Sequence, residues 1–241
     1  MKKNIIITGD PHVGKSTLFV NVLSLIENTK GFYTRAILKD NKRIGFEFVT
    51  SKQTGGNVLP LAHIAEGNQK FKVGKYTVTP SYLNTYCSWR LYNPITADDC
   101  LYIDEIGEMQ FFSDQFPDYV LKCLDSQAIV IATLSKVFEN DFIRKIKKRD
   151  DIILIELTKE NRDTVQEYIP GIISKIRKAR GYIQQPHLFS STPRGIIVHS
   201  SHGRRIVTTD QKITCTCDFF SKADICSHVM AVEELLKRKI I

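Results

Sequence analysis

Two stretches of the chain carry residue types at spacings that chemistry uses. The first is Gly9-Asp10-Pro11-His12-Val13-Gly14-Lys15-Ser16, continued by Thr17, which fits G-x-x-x-x-G-K-[ST] between an apolar run and a helical pattern. Glycines let such a loop curl so that backbone N–H groups converge on phosphate oxygens, and the helix start behind it adds partial positive charge. Gly9 to Thr17 are therefore nucleotide-binding candidates, with Lys15 set to reach the β and γ phosphates and Ser16 to ligate Mg2+. Downstream, Leu101-Tyr102-Ile103-Asp104-Glu105 is a short apolar run ending in two carboxylates. Asp104 suits the Mg2+ shell, where a hard cation takes carboxylate and water. Glu105 is placed to orient or deprotonate an attacking water, so Lys15 and Glu105 are the catalytic candidates. The acid pair argues for hydrolysis, because a kinase must exclude water. Two other readings stay open: a nucleotide kinase with the same loop, and a nucleotide-sensing nucleic-acid-binding adaptor with negligible turnover.

The second stretch is Cys215-x-Cys217, a gap of eight residues, then Cys226-x-His228. Three thiolates and one imidazole are the number and softness of a closed tetrahedral Zn2+ site. Free buried thiols and a redox disulfide are the alternatives, and the spacing isolates no Cys-x-x-Cys pair. Cys87, Cys100 and Cys123 are scattered through apolar or mixed segments and read as buried thiols of a reduced compartment.

Buried strands are expected over 4–8, 100–104, 128–134 and 152–158, alternating with helices over 16–27, 114–124, 139–148 and 161–179. That alternation predicts an α/β fold, a mostly parallel sheet with helices on both faces. Runs 31–38 and 43–50 flank Asp40-Asn41 and read as an inserted β-hairpin that 73–79 could extend. Tyr82, Tyr86, Trp89 and Tyr92 recur three or four apart and read as a helix packing face, with a base-stacking platform as the alternative. The stretch 181–193, with Gln184-Gln185-Pro186 and Ser190-Ser191-Thr192-Pro193, reads as a linker between a domain of residues 1–180 and a small one of residues 194–241. In that small domain a hairpin around His202-Gly203 presents the first cysteine pair. A helix from Val229 follows, with Val232, Leu235 and Leu236 as its stripe, giving a ββα unit whose folding needs the metal.

With 241 residues, 42% apolar and 25% charged, the chain can bury a core. It holds no apolar run of the roughly 20 residues a membrane helix needs, and only a short apolar run after Lys2-Lys3, so no membrane association and a cytoplasmic location are expected. Its net charge of +8 is uneven: residues 1–170 hold 22 Lys and Arg against 21 Asp and Glu, residues 171–241 hold 12 against 5. A basic terminal module points to a polyanion, DNA or RNA, against the alternatives of a solvated face or a protein partner. Its candidate contacts are Arg194, Arg204, Arg205, Lys212, Lys222 and Lys237-Arg238-Lys239.

The phosphate loop, Gly31-Phe32-Tyr33-Thr34, Arg43-Ile44-Gly45-Phe46, Val73-Gly74-Lys75-Tyr76, Ile103-Asp104-Glu105-Ile106-Gly107-Glu108-Met109 and Thr158-Lys159-Glu160-Asn161-Arg162-Asp163 occur in a recognisable order and spacing. On these, residues 1 to about 170 resemble the cancer-related nucleoside-triphosphatase family, first known from thermophiles. The resemblance implies a P-loop fold and slow, magnesium-dependent hydrolysis of nucleoside triphosphates to diphosphate and phosphate, with loose base selectivity. It also implies Glu105 as the base and Asn161 and Arg162 near the nucleotide, Arg162 contacting base or ribose. His12 stands where the family has glycine, and Gln110 where it has an acid. The Cys-x-Cys-x(n)-Cys-x-His pattern, with Asp218-Phe219 after the first pair and a helix after the His, resembles the SWIM zinc finger, which implies binding to nucleic acid or protein.

Overall fold

The computed structural model describes residues 1–51, 56–64, 70–210 and 212–241. They divide into two compact units, Asn4–Gln166, and Glu167–Ile241 together with Met1–Lys3.

The first unit is built on a sheet in which nine strands are described: β1 Asn4–Gly9, β2 Thr29–Lys39, β3 Lys42–Thr50, β4 Val58–Ile64, β5 Lys72–Val73, β6 Tyr76–Val78, β7 Cys100–Ile106, β8 Ile129–Leu134 and β9 Ile152–Leu157. Their order is β5-β6-β4-β3-β2-β7-β8-β1-β9. Strands β2, β7, β8, β1 and β9 pair in parallel, while β3, β4, β6 and β5 extend that core antiparallel. Every residue of β1 and of β8 is buried, as in strands covered on two faces, and the runs are mostly apolar. The inserted hairpin is β2–β3, and the residues of its turn, Asp40 (φ 49°) and Asn41 (φ 57°), both adopt the left-handed region that a two-residue turn of this hand requires. The helices are α1 Lys15–Leu23, α2 Pro80–Tyr92, α3 Phe116–Asp125 and α4 Asp141–Lys147, and α5 Arg162–Ile183 starts here. The core joins Phe32, Phe48 and Leu83 to Tyr119 and Val130, all fully buried.

The aromatic row on α2 departs from expectation. At about 100° per residue, Leu83, Cys87 and Arg90 centre the inward face, and Tyr82 and Trp89 lie roughly a quarter-turn away from it. Tyr86 alone of the row packs inward, against Phe32 at 5.7 Å and Tyr119 at 5.9 Å, while Tyr82, Trp89 and Tyr92 are exposed.

The second unit holds α5 from Glu167 onward, an antiparallel sheet β10 Phe189–Thr192, β11 Gly195–Ser200, β12 Gly203–Thr208 and β13 Thr214–Cys215, and helices α6 Asp218–Ala223 and α7 Ser227–Lys237. Here the reading of 181–193 as a linker is corrected. The run continues α5 to Ile183, turns through Pro186–Leu188 and then forms β10, in which Phe189 pairs with Val198 and Thr192 with Gly195. Serine and threonine mimic a linker composition, but a strand at a sheet edge needs only alternate burial, and Phe189 supplies it. Pro170 lies inside α5, and Gly171 after it leaves room for the Phe219 ring, which a Cβ there would meet at 2.8 Å. In α7, Val232 and Leu235 are buried as expected, joined by Val229, Met230 and Ala231, whereas Leu236 stays at the rim. No helix among the described residues is long and apolar enough to cross a membrane.

Candidate functional site

In the first unit, the parallel strands bring their C-terminal ends to one edge of the sheet, where loops leave side chains in a cleft. β1 ends at Gly9, the chain turns through Asp10 to Gly14, and α1 begins at Lys15. Gly9 (φ 156°) passes too close for any side chain, since a Cβ would stand 2.5 Å from the Leu157 carbonyl oxygen of the neighbouring strand. His12 has φ 65°, in the left-handed region, a conformation costing a non-glycine residue about 1 kcal/mol or more. Val13 is buried and anchors the loop to the core, and Lys136 braces Asp10 at 3.1 Å. Lys15 Nζ donates to the carbonyls of Gly9 (2.8 Å) and Asp10 (3.1 Å), holding the ammonium over the loop.

β7 carries Asp104 and Glu105 to the same edge, at a point where its register with β8 slips between Ile103 and Ile106. Asp104 is 1% exposed. Its Oδ1 accepts from Thr133 Oγ1 and its backbone oxygen accepts from Thr34 Oγ1 at 2.6 Å, but its Oδ2 is buried with no hydrogen-bond partner. Burial pushes the Asp104 carboxyl above the ordinary carboxylate range, opposed by the Thr133 hydrogen bond, by the nearby Ser16 hydroxyl, by Thr34 and by the Lys15 charge. The half-buried Glu105 is raised too, by burial and then by the Asp104 charge, with Lys15 opposing. A buried carboxylate oxygen without a donor, beside a hydroxyl, is a donor set that fits a hard divalent cation.

Together these residues line a cleft of about 760 Å³ that includes Lys15, Ser16, Thr17, Asp104 and Glu105. It runs on to the hairpin, where Arg43 lies 5.3 Å from the Phe46 ring, and to Met109 and Gln110. Of the loop candidates, Pro11, His12 and Gly14 also line it, while Gly9, Asp10 and Val13 shape the backbone behind it. Arg162 does not line the cleft; its Cδ would meet a Cβ at Gly14 at 3.2 Å, so its side chain lies along the loop. Asn161 is committed to backbone, accepting from Thr158 N at 2.8 Å and donating to the Glu156 carbonyl at 2.9 Å. The sequence assigns no site role to Thr133, to Thr34 or to the buried Gln110, whose Nε2 donates to Thr34 Oγ1 at 3.4 Å. One signal was available: Thr133 is a hydroxyl inside an otherwise apolar buried strand.

The second unit gathers Cys215, Cys217, Cys226 and His228, with their candidate ligand atoms all within 4.8 Å of one another. β13 ends at Cys215, Cys217 precedes α6, and Cys226 caps α7, accepting from Val229 N at 3.4 Å. A helix start favours a thiolate. His228 Nδ1 lies 3.6 Å from Cys215 Sγ and 3.9 Å from Cys226 Sγ. A tetrahedron with Zn–S near 2.3 Å and Zn–N near 2.0 Å has edges of about 3.5 to 3.8 Å, close to both His228 distances, and a small inward shift of the remaining donors would close it around one ion. Hydrogen bonding to Cys226 draws Cys215 far below the ordinary thiol range, and the same contact raises Cys226, as expected where one proton is shared between adjacent thiols.

Residues 4–170 match the family model described as NTPase, and residues 209–237 match that of the SWIM zinc finger. Nucleoside-triphosphatase THEP1 of Thermotoga sp. (strain RQ2) is 36% identical over 169 residues, 70% of this chain and 94% of the relative. The cancer-related nucleoside-triphosphatase of Homo sapiens is 28% identical over 200 residues, covering 75% of this chain and 100% of that protein. Among solved structures, THEP1 from Aquifex aeolicus superposes with a TM-score of 0.60 at 30% identity, over 70% of this chain and 98% of that one.

Proposed function

The chain belongs to the nucleoside-triphosphatase family, and from that premise we propose that its first unit hydrolyses nucleoside triphosphates to diphosphate and phosphate with Mg2+, Glu105 activating the water. The observation that carries this reading is the partnerless, buried Asp104 Oδ2 beside Ser16, in the cleft that also holds Lys15 and Glu105. In this reading the backbone of Gly9 to Thr17 wraps the phosphates, and Lys15 exchanges its loop carbonyls for β and γ oxygens. Ser16 and Asp104 would hold the Mg2+, which would supply charge neutralisation at the phosphates. Glu105 orients the water and takes its proton; burial beside Asp104 makes it a stronger base than an ordinary glutamate. Arg162, which pairs with Asp163 at 3.3 Å outside the cleft, would reach base or ribose only by leaving that contact, so it offers no fixed base contact of the kind selectivity needs, in keeping with loose base selectivity.

Zn2+ is held by Cys215, Cys217, Cys226 and His228, and the basic second unit recruits nucleic acid to the hydrolase, supported by its excess of 12 cationic over 5 acidic residues in 171–241. The test of the hydrolase reading is single-turnover phosphate release by Glu105→Gln and the native chain, with and without added nucleoside monophosphate. Retained nucleotide affinity with turnover cut about 100-fold or more is expected. Label appearing on the monophosphate would make the protein a kinase, and absent turnover in the native chain would make it a nucleotide-sensing adaptor.

A further inference from the structure

The Cys/His cluster forms one wall of a second cavity, of about 350 Å³, wholly within the unit that begins at Glu167. Four cationic side chains reach it from three elements: Lys175 and Lys178 from α5, Arg205 from β12 and Lys222 from α6. Lys175 and Lys178 are three residues apart and share a helix face. Among the described residues, none of the four makes an ion pair. Two of them are held by rings instead: Lys175 Nζ lies 4.9 Å from the Phe219 centroid and Lys178 Nζ 5.6 Å from that of Tyr182. Such contacts fix an ammonium group without neutralising it. Asp218 is the single carboxylate among the lining residues described. Counting it and a zinc with three thiolates at −1 each, the cavity keeps a formal charge of about +2. A concave, partly walled surface of one sign focuses its field and calls for an anion.

We propose that this cavity grips the backbone phosphates of a nucleic-acid strand, so that the recruiting surface includes the α5 lysines, which lie outside the matched zinc finger, and depends on bound zinc. The proposal rests on the nucleic-acid recruitment reading above. Compact ammonium groups from separate elements, with the Ser227 hydroxyl beside them, suit phosphate oxygens. Stacking of bases is not offered, since Lys175 covers the face of Phe219, so binding is independent of sequence. Cys217, Cys226 and His228 are part of the wall, so stripping zinc removes the cavity along with the fold of α6 and the start of α7.

The experiment is fluorescence anisotropy of a labelled oligonucleotide, single-stranded and duplex, with the full chain at several salt concentrations. Four variants are compared: Lys175→Gln/Lys178→Gln, its charge-keeping partner Lys175→Arg/Lys178→Arg, the exposed Lys222→Gln, and Arg194→Gln/Arg204→Gln, whose side chains do not line the cavity. At 0.9 per phosphate contact, losing two contacts should make the log–log salt slope shallower by about 2 and weaken binding about 30-fold at 0.15 M salt. Lys222→Gln should show about half that slope change, both Lys175→Arg/Lys178→Arg and Arg194→Gln/Arg204→Gln should bind like the native chain, and chelation of zinc should abolish binding. Unchanged zinc content and melting temperature verify folding. Native binding that neither Lys175→Gln/Lys178→Gln nor Lys222→Gln weakens overturns the cavity and leaves recruitment standing; no binding by the native chain at low salt overturns both.

Discussion

Replacing Thr133 by valine removes one hydroxyl from the site and almost nothing else. Thr133 is fully buried, its Oγ1 donates to Asp104 Oδ1, and valine fills nearly the same space, so the change leaves little cavity. What is lost is a hydrogen bond to a carboxylate that is itself 1% exposed and has no donor on its other oxygen. Hydrogen bonds to charged groups contribute about 1.5–3 kcal/mol, which at 1.4 kcal/mol per decade is about 10- to 150-fold. Because Thr133 acts through Asp104, the loss should appear as a metal requirement: half-saturating Mg2+ rises about 10- to 100-fold, the range for groups that orient a metal ligand. Turnover at saturating Mg2+ should fall less than tenfold. The assay is a Mg2+ titration of phosphate release at fixed, saturating nucleotide, with Thr133→Ser as the variant that keeps the hydroxyl and restores the native curve. A valine variant whose half-saturation stays within about twofold of native would refute this account of how Asp104 is held.

Three further outcomes are expected. Cys226→Ser should take zinc stoichiometry by elemental analysis from near one to near zero while the first unit's hydrolysis survives, and zinc retained in that variant would dismiss the site as drawn. Lys15→Ala should weaken triphosphate binding in calorimetry far more than monophosphate binding, since only the former presents β and γ oxygens; equal losses would indicate misfolding. Lys30 Nζ lies 2.6 Å from Asp99 Oδ1, and although burial opposes ionisation, Lys30 and Thr96 together hold Asp99 below the ordinary carboxylate range. That stability is present above the unfolded value near 3.9 and is lost as pH falls through the lower folded value. Lys30→Met should therefore cost about 2 kcal/mol at pH 7 in denaturant titrations, and the deficit should shrink below about pH 4; a deficit independent of pH would mean that packing, not the ion pair, was removed.

What can be read along the chain is whatever a few consecutive residues decide. Gly9 to Ser16 announces a phosphate loop because the turn, the inward N–H groups and the helix start all lie within eight positions. Asp40-Asn41 announces its hairpin because both residues tolerate positive φ. Cys215, Cys217, Cys226 and His228 announce a metal site by donor count and spacing alone. Their local dihedrals and donors are properties of the residues themselves.

Tertiary structure decided the rest, because it depends on which strand lies beside which. Thr133 meets Asp104 across 29 positions only because β8 runs between β7 and β1, an order that no local pattern encodes. The inward face of α2 follows Leu83, Cys87 and Arg90 and not the more conspicuous aromatic row, since the sheet beneath selects the face by fit. The polar run after Arg180 becomes β10 because β11 offers it hydrogen bonds. Lys175 and Lys178 look like solvated helix charges until folding sets them around one cavity with Arg205 and Lys222, and charges distant in sequence act together only when the chain brings them within a Debye length, about 8 Å at physiological salt.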